Sequence, residues 1–482
     1  MTPLQIALTA VAALLLVLIA VVLVRTAAFR PKKPAPRPAD PVSFDGDRAV
    51  ESLRTLVRFP TVSYRPPMKE DEAAFEGLIN ALPTLFPRVF EACTFTRLPD
   101  RALLLQWKGL EEGEPSVMMS HYDVVPVAEE GWEKPPFEGV IEDGVLWGRG
   151  TLDTKVTMNS ALFAAETLIE QGFTPKKDIY FAFSGCEEIN GMGAVHIVNH
   201  FRAQGIKPAL VLDEGGAVVE DVFPGVKEAC GMIGIGEKGM LDAMYQAKST
   251  GGHASAPKAH TPVSLLATAC TRVVKHPFKM RVSPAAAGMF DTLARRSNFF
   301  YRMIFANLWL FSPVLDLLGK KAGGEMNALM RTTVAFTQMK GSDAPNVIPP
   351  EAHIVSNIRL NPGDTVESAL EYLRRAVKDE RVEISALYST NPSPTSPVGC
   401  EAYRKVADAV ADTWEGAVVT PYLMMQCSDS RHYATLADNV YRFSSLDLTA
   451  EERRSIHGHN ERVRLEAVHR SVAFYIRLLK KC

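Results

Sequence analysis

The sequence predicts a mainly parallel α/β domain, interrupted by a smaller inserted α+β domain and preceded by a transmembrane helix. Three observations carry that reading. Short, nearly continuous apolar runs, PSVMMSHYDVV (115–125), KDIYFAFSG (177–185) and PALVLDEGG (208–216), alternate with helical stretches, the texture of strands buried on both faces. From Gly236 the texture changes: GMLDAMYQAKSTGGHASAP alternates with period two, as a half-exposed strand does. Residues 4–24, LQIALTAVAALLLVLIAVVLV, are 21 positions without a charge.

At about 1.5 Å per residue the N-terminal run covers a bilayer core of roughly 30 Å. It is longer than a usual signal-peptide core and no cationic segment precedes it, which favours a retained anchor over a cleaved signal. The segment RTAAFRPKKPAPRPADP that follows is basic and proline-rich, an extended linker by composition. Its cations, Arg25, Arg30, Lys32, Lys33 and Arg37, would by the positive-inside rule hold the rest of the chain in the cytoplasm. Export of a large following domain overrides that rule, so the side of the membrane stays open. The expected divisions are an anchor at 1–25, a linker at 26–43, a first α/β segment at 44–235, the insertion at 236–390 and a second α/β segment at 391–482. The insertion has its own strands (RTTVAFTQMKG, AHIVSNIRLNP) and a helix near VESALEYLRRAVKD. In the first segment, VTMNSALFAAETLIEQG (156–172) reads as a helix closed by Gly172. A net charge of -2 provides no general attraction for nucleic acid. Seven scattered cysteines without a C-x-x-C pair argue against a thiolate zinc knuckle and a disulfide scaffold.

Each buried strand stops on polar residues. The first ends in His121-Tyr122-Asp123, whose first and third members share a strand face. The second ends at Glu187-Glu188 and the third at Asp213-Glu214, and Asp153 joins them from WGRGTLDTK, where Gly148 and Gly150 permit a tight turn. One acidic residue at a strand end is ordinarily a helix cap or a solvated charge. Four such sites in order, at the end of an open α/β sheet where ligands gather, describe a metal centre. Imidazole and carboxylate without thiolate suit a catalytic zinc, or cobalt or manganese in its place.

The series H-x-D, G-R-G-x-x-D, E-E, a later Asp and a C-terminal His resembles the two-zinc aminoacylase and carboxypeptidase metallopeptidases. The strings SHYDVVP, WGRGTLDTK, LVLDEGG, GGHASAP and IHGHNE look like the carboxypeptidase S branch, which includes hydrolases of fatty N-acyl amino acids. The resemblance runs from about residue 45 to the C-terminus. It implies a zinc-hydrolase catalytic domain with a lid and dimerisation domain as its insertion. It implies metal ligands at His121, Asp153 (shared by two ions), Glu188, Asp213 and His457. Asp123 would orient His121, and Glu187 would be the general base, an uncoordinated carboxylate within reach of the activated water. His457, directly before glycine, is preferred to His459, a loop or rim residue. His196, His200, His260, His276 and His432 read as structural or surface groups.

In the insertion, the resemblance makes His253 a donor to the developing oxyanion, supplied in many relatives across a dimer interface, so a homodimer is expected. Asn346 and Arg359 look like substrate binders, the latter with a guanidinium fork suited to a free carboxylate. Asp429 and Arg431 of QCSDSRHY stand in a loop near the active site and receive no role. The stretch NFFYRMIFANLWLFSPVLDLLG (298–319) departs from compact relatives. Pro313 makes it a poor spanning helix. Packing in the lid core or at a subunit contact competes with a greasy surface or channel for a long acyl chain, touching the membrane. The function implied is hydrolysis of the amide bond of N-acyl amino acids or of C-terminal residues of short peptides. A small-substrate biosynthetic deacylase is the alternative. A catalytically inactive binding module on the same fold would have lost Glu187 or a ligand, and all are retained.

Overall fold

The computed structural model describes residues 2–31, 41–65 and 69–482; positions 32–40 of the expected linker lie outside them. The N-terminal run forms one helix, α1 (Pro3–Ala28), capped by Thr2 and Gln5. The strands of the large sheet are β1 (Cys93–Leu98), β2 (Ala102–Trp107), β3 (Ser116–His121), β4 (Ile179–Ser184), β5 (Leu210–Val219), β6 (Cys230–Glu237), β11 (Val418–Met424) and β12 (Val440–Leu448). Their order is β1-β2-β4-β3-β5-β12-β6-β11. β4, β3, β5 and β12 run parallel, and β1 and β2 close one edge antiparallel. The apolar runs are buried at every position of β3 and β4 because helices cover both faces. On one face lie α2 (Lys155–Glu170) and the C-terminal helix α7 (Leu465–Leu479), both within the largest core cluster.

The smaller sheet consists of β7 (Gly239–Lys248), β8 (Thr333–Lys340), β9 (Glu351–Leu360) and β10 (Val382–Thr390), ordered β8-β9-β7-β10 and wholly antiparallel. The period-two run of the sequence is β7, whose burial alternates residue by residue. Its buried side chains, such as Leu241, Ala243 and Tyr245, meet helices α3 (Pro262–Lys275) and α6 (Val366–Val377) in a separate core. This is an open-faced sandwich. The sequence between α3 and β8 departs from it. There a helix at Pro284–Ala294, α4 (Phe299–Ala306), α5 (Leu308–Ala322) and a short helix at Gly324–Met330 place Phe290, Phe305 and Leu329 in the core of the large sheet.

Candidate metal centre

The site lies where β3 and β4 end side by side, His121 opposite Ser184. His121 is buried. Its Nδ1 lies 2.9 Å from the Asp123 carbonyl oxygen, which can only accept, so Nδ1 carries the proton. Nε2 then faces two carboxylates, Asp153 Oδ1 at 2.9 Å and Glu214 Oε1 at 3.4 Å. Asp153 turns its other oxygen to His457 Nε2, at 3.1 Å, and His457 meets Glu188 Oε2 at 3.2 Å. Thus Asp153 stands between two imidazoles, with one oxygen for each.

Each group is held from behind. The completely buried Asp123 accepts the backbone N–H of Glu187 on Oδ1 (3.0 Å) and that of Glu188 on Oδ2 (3.1 Å), and Ser63 donates to it at 2.7 Å. One carboxylate therefore fixes the glutamate pair while its carbonyl orients His121. Asp153 is positioned by Glu461, whose Oε1 accepts the N–H groups of Gly150, Leu152 and Asp153 at 2.7–3.2 Å. Arg149 pairs with Glu461 at 2.5 Å, both buried. A three-stranded sheet of Val140–Glu142, Val145–Trp147 and Arg462–Arg464 ties this loop to the His457 turn. His457 itself has φ of +60°.

Asp213, a ligand by the resemblance, is outside the two donor groups that close on His121. Its Oδ2 accepts the Ser430 N–H at 2.9 Å, beside a turn that Glu237 holds through Ser428 and Arg442. Neighbouring strand residues point to opposite faces, and the register of β5 on β12 jumps from Asp213–Arg442 to Gly216–Phe443. Glu214 stands in that bulge, which aims it at His121. Gly216 could not be another residue, since a Cβ there would lie 1.7 Å from the Met232 carbonyl oxygen. Glu461 is the second group that motif reading missed. Its signal was present, an acidic residue closing IHGHNE, but nothing in the string says that it is buried.

Of the expected lid residues, His253 and Asn346 come together. Gly252 and His253 pair with Ile348 and Val347, and the Asn346 carbonyl accepts from the Ala254 N–H at 2.9 Å. Both residues are exposed, His253 Nδ1 meets Ser255, and neither lines the cavity at the cluster. Arg359 does approach it, with Nη1 3.6 Å from the Sγ of the cavity-lining Cys427. Asp429 is buried; burial first, then Asp213, pushes its carboxyl up to about 7 against the pull of Arg431. Arg431 donates to Asn190 at 3.0 Å. His459 is exposed, over Gly131.

Burial and the crowding of like charges shift how these groups hold their protons. Burial pushes Glu187 well above the carboxylate range, reinforced by Asp429, Glu214 and Glu188 against His121. Burial and then the Asp153 charge push Glu214 up to about 8. Hydrogen bonds that His457 donates to Asp153 and Glu188 raise it to about 10. Burial would lower His121, but Glu214, Asp123 and Asp153 raise it. The buried Glu188 Oε1 has no hydrogen-bond partner. Two overlapping groups, His121–Glu187–Glu214 and His121–Asp153–Glu188, each bring donor atoms within 4.8 Å of one another. Imidazole and carboxylate donors converging beside an orphaned buried oxygen fit a divalent cation, and the all-N/O donor set suits zinc.

The cluster opens into a cavity of about 590 Å³. Asp153, Glu187, Glu188, Glu214 and His457 line one part, and Met232, Met289, Leu329, Met424, Met425 and Leu446 line another.

The chain's known relatives agree with this architecture. A family model described as Peptidase family M20/M25/M40 matches residues 117–481. The N-fatty-acyl-amino acid synthase/hydrolase PM20D1 of Xenopus tropicalis is 36% identical over 437 residues, 89% of this chain and 85% of the relative. A protein of Dictyostelium discoideum named "Probable carboxypeptidase S-like 2" is 32% identical over 482 residues, 97% of this chain and 92% of the relative. Among solved structures, the M20 family metallo-carboxypeptidase Sso-CP2 from Sulfolobus solfataricus superposes with a TM-score of 0.65 at 17% identity, covering 90% of this chain and 98% of that one. With a family match across most of its length and a strand-end cluster built for cations, the chain belongs to peptidase family M20/M25/M40 and is a metallopeptidase or amidohydrolase of that family.

Proposed function

We propose that this enzyme hydrolyses the amide bond of N-acyl amino acids, and of C-terminal residues of short peptides, at a centre for two zinc ions, while α1 anchors it to a membrane. The observation that carries the substrate class is the single cavity joining the polar cluster to a wall of methionine and leucine. Such a cavity accepts a molecule with a scissile amide at one end and an acyl chain at the other. The relatives' names, an N-fatty-acyl-amino acid synthase/hydrolase and a carboxypeptidase S-like protein, support the same reading.

His121, Asp153 and Glu214 would hold one ion, and Asp153, Glu188 and His457 the other, which leaves Glu187 uncommitted. Bound zinc supplies Lewis-acid polarisation and lowers the pKa of water to near neutrality. Glu187 then has the base's task. Its carboxylate takes the proton of the attacking water and returns it to the departing amine nitrogen. Asp123 keeps Glu187 in place through the backbone N–H, so the side chain is free to move a proton. Arg359 receives the free carboxylate of the amino acid. His253 and Asn346, adjacent but outside the cavity, reach the scissile carbonyl and the substrate backbone from the partner in a homodimer.

The test is a panel of N-acyl amino acids of graded chain length, run beside dipeptides, with metal measured on the same sample. Hydrolysis that rises with acyl length and about two zinc ions per chain is the expected result. Metal-loaded protein inert on the whole panel would remove the substrate class.

A further inference from the structure

Helices α4 and α5 form a bent pair, turned by 108° at Asn307. Phe299, Phe300, Trp309, Val314, Leu317 and Leu318 are all more than half exposed. Six large apolar side chains left outward on one helix pair are unlike the surface of an ordinary soluble domain. Lys320 and Lys321 stand exposed at the end of α5, where cations border apolar faces that lie in a lipid interface. The inner side is well packed. Phe305 meets Phe223 at 5.0 Å and Phe290 at 5.1 Å between ring centres, and the chain neighbours of those rings, Val222 and Met289, line the cavity.

What covers the outer face is indicated by α1. Asn307 Nδ2 donates to the Val22 carbonyl and to Thr26 Oγ1, each at 3.3 Å. Arg25 donates to the Ala306 carbonyl at 3.0 Å. Thr26 is completely buried in this seam, whereas the preceding apolar residues of α1 from Leu4 to Val17 are exposed. A helix of this length and hydropathy is long enough to span a bilayer, and as the anchor proposed above it would have Val22–Thr26 at its emerging end. Hydrogen bonds about 3 Å long then hold the α4–α5 junction at the same depth.

We propose that the exposed face of α4 and α5 lies in the interfacial layer of a lipid bilayer, beside the point where α1 leaves it; this rests on the anchoring role given to α1 above. The probe is Trp309, since α1 contains no tryptophan and the other four (Trp107, Trp132, Trp147 and Trp414) lie elsewhere in the chain. The full chain is reconstituted in phosphatidylcholine vesicles with or without acyl-brominated lipid, and the Trp309 emission is isolated by subtracting Trp309→Phe. The expected result is at least a twofold loss of that component with brominated lipid, with little quenching by aqueous acrylamide. Acrylamide quenching without bromolipid quenching, in a chain that floats with the vesicles, overturns the proposal alone. A chain that does not float overturns the anchor and the proposal together, while the hydrolysis panel is unaffected. If Trp309→Phe fails to fold, Leu317→Trp serves in reverse: it adds bromolipid-quenched emission, or the proposal fails.

Discussion

Two regions of the molecule depart from the usual partition of side chains, in opposite directions. At the strand ends, Asp123, Asp153, Glu187, Glu188 and Glu214 are drawn together around His121, polar groups where apolar ones are normal. On α4 and α5, phenylalanine, tryptophan and leucine face outward, apolar groups where polar ones are normal. Buried charge and exposed grease are the informative exceptions in a folded chain. The first suits a cation, and the second, under the proposal above, suits a lipid surface. The comparison predicts that disturbing the first region harms chemistry and stability, and disturbing the second harms neither in water.

The largest effect belongs to Glu187→Gln, which should lower kcat by on the order of 10³-fold or more while elemental analysis still finds the full metal content. Glu188→Gln should lose metal instead; equal metal loss in both would erase the distinction between base and ligand. Next comes metal removal by a chelator. The carboxylates left facing one another should lower the melting temperature by on the order of 5 °C, with recovery on adding zinc. Glu461→Gln should follow. It breaks a buried pair with Arg149 and costs about 3 kcal/mol, read by denaturant unfolding, with metal affinity reduced roughly 10–100-fold.

The contrast between neighbours on β5 is finer. Glu214→Gln should weaken metal binding, whereas Asp213→Asn should keep the metal and cost only about 1 kcal/mol of stability. The reverse order would restore Asp213 as the ligand. The smallest effect is expected at the apolar face, where Leu317→Ser should shift unfolding in detergent by less than about 0.5 kcal/mol.

The different surroundings of Asp213 and Glu214 show what a sequence conveys. Continuous apolar runs announce β3, β4 and β5 because burial on both faces leaves no alternation, and strands ending at one edge gather His121 and the Glu187-Glu188 pair, while Asp153 comes from a loop and His457 from the motif resemblance alone. A bulge is different. It arises from the pairing of β5 with β12, more than 200 residues away, and the string LVLDEGG cannot say which acid it turns inward. The helices at 284–330 pose the same difficulty. The apolar composition of 298–319 leaves lid core, subunit contact and greasy surface open, and the packing of Phe305 in the large core is a tertiary choice. His253 and Asn346 meet through a two-stranded pairing across about a hundred positions, equally invisible to local pattern.

Asp123 has a consequence of a different kind. Its two oxygens locate the backbone of Glu187 and Glu188, its carbonyl locates His121, and Ser63 locates Asp123 itself. In the language of machining, three working parts are dimensioned from one datum. Thermal displacement of that datum moves them as a set, so the spacing between proton carrier and ligands varies less than the position of any one of them.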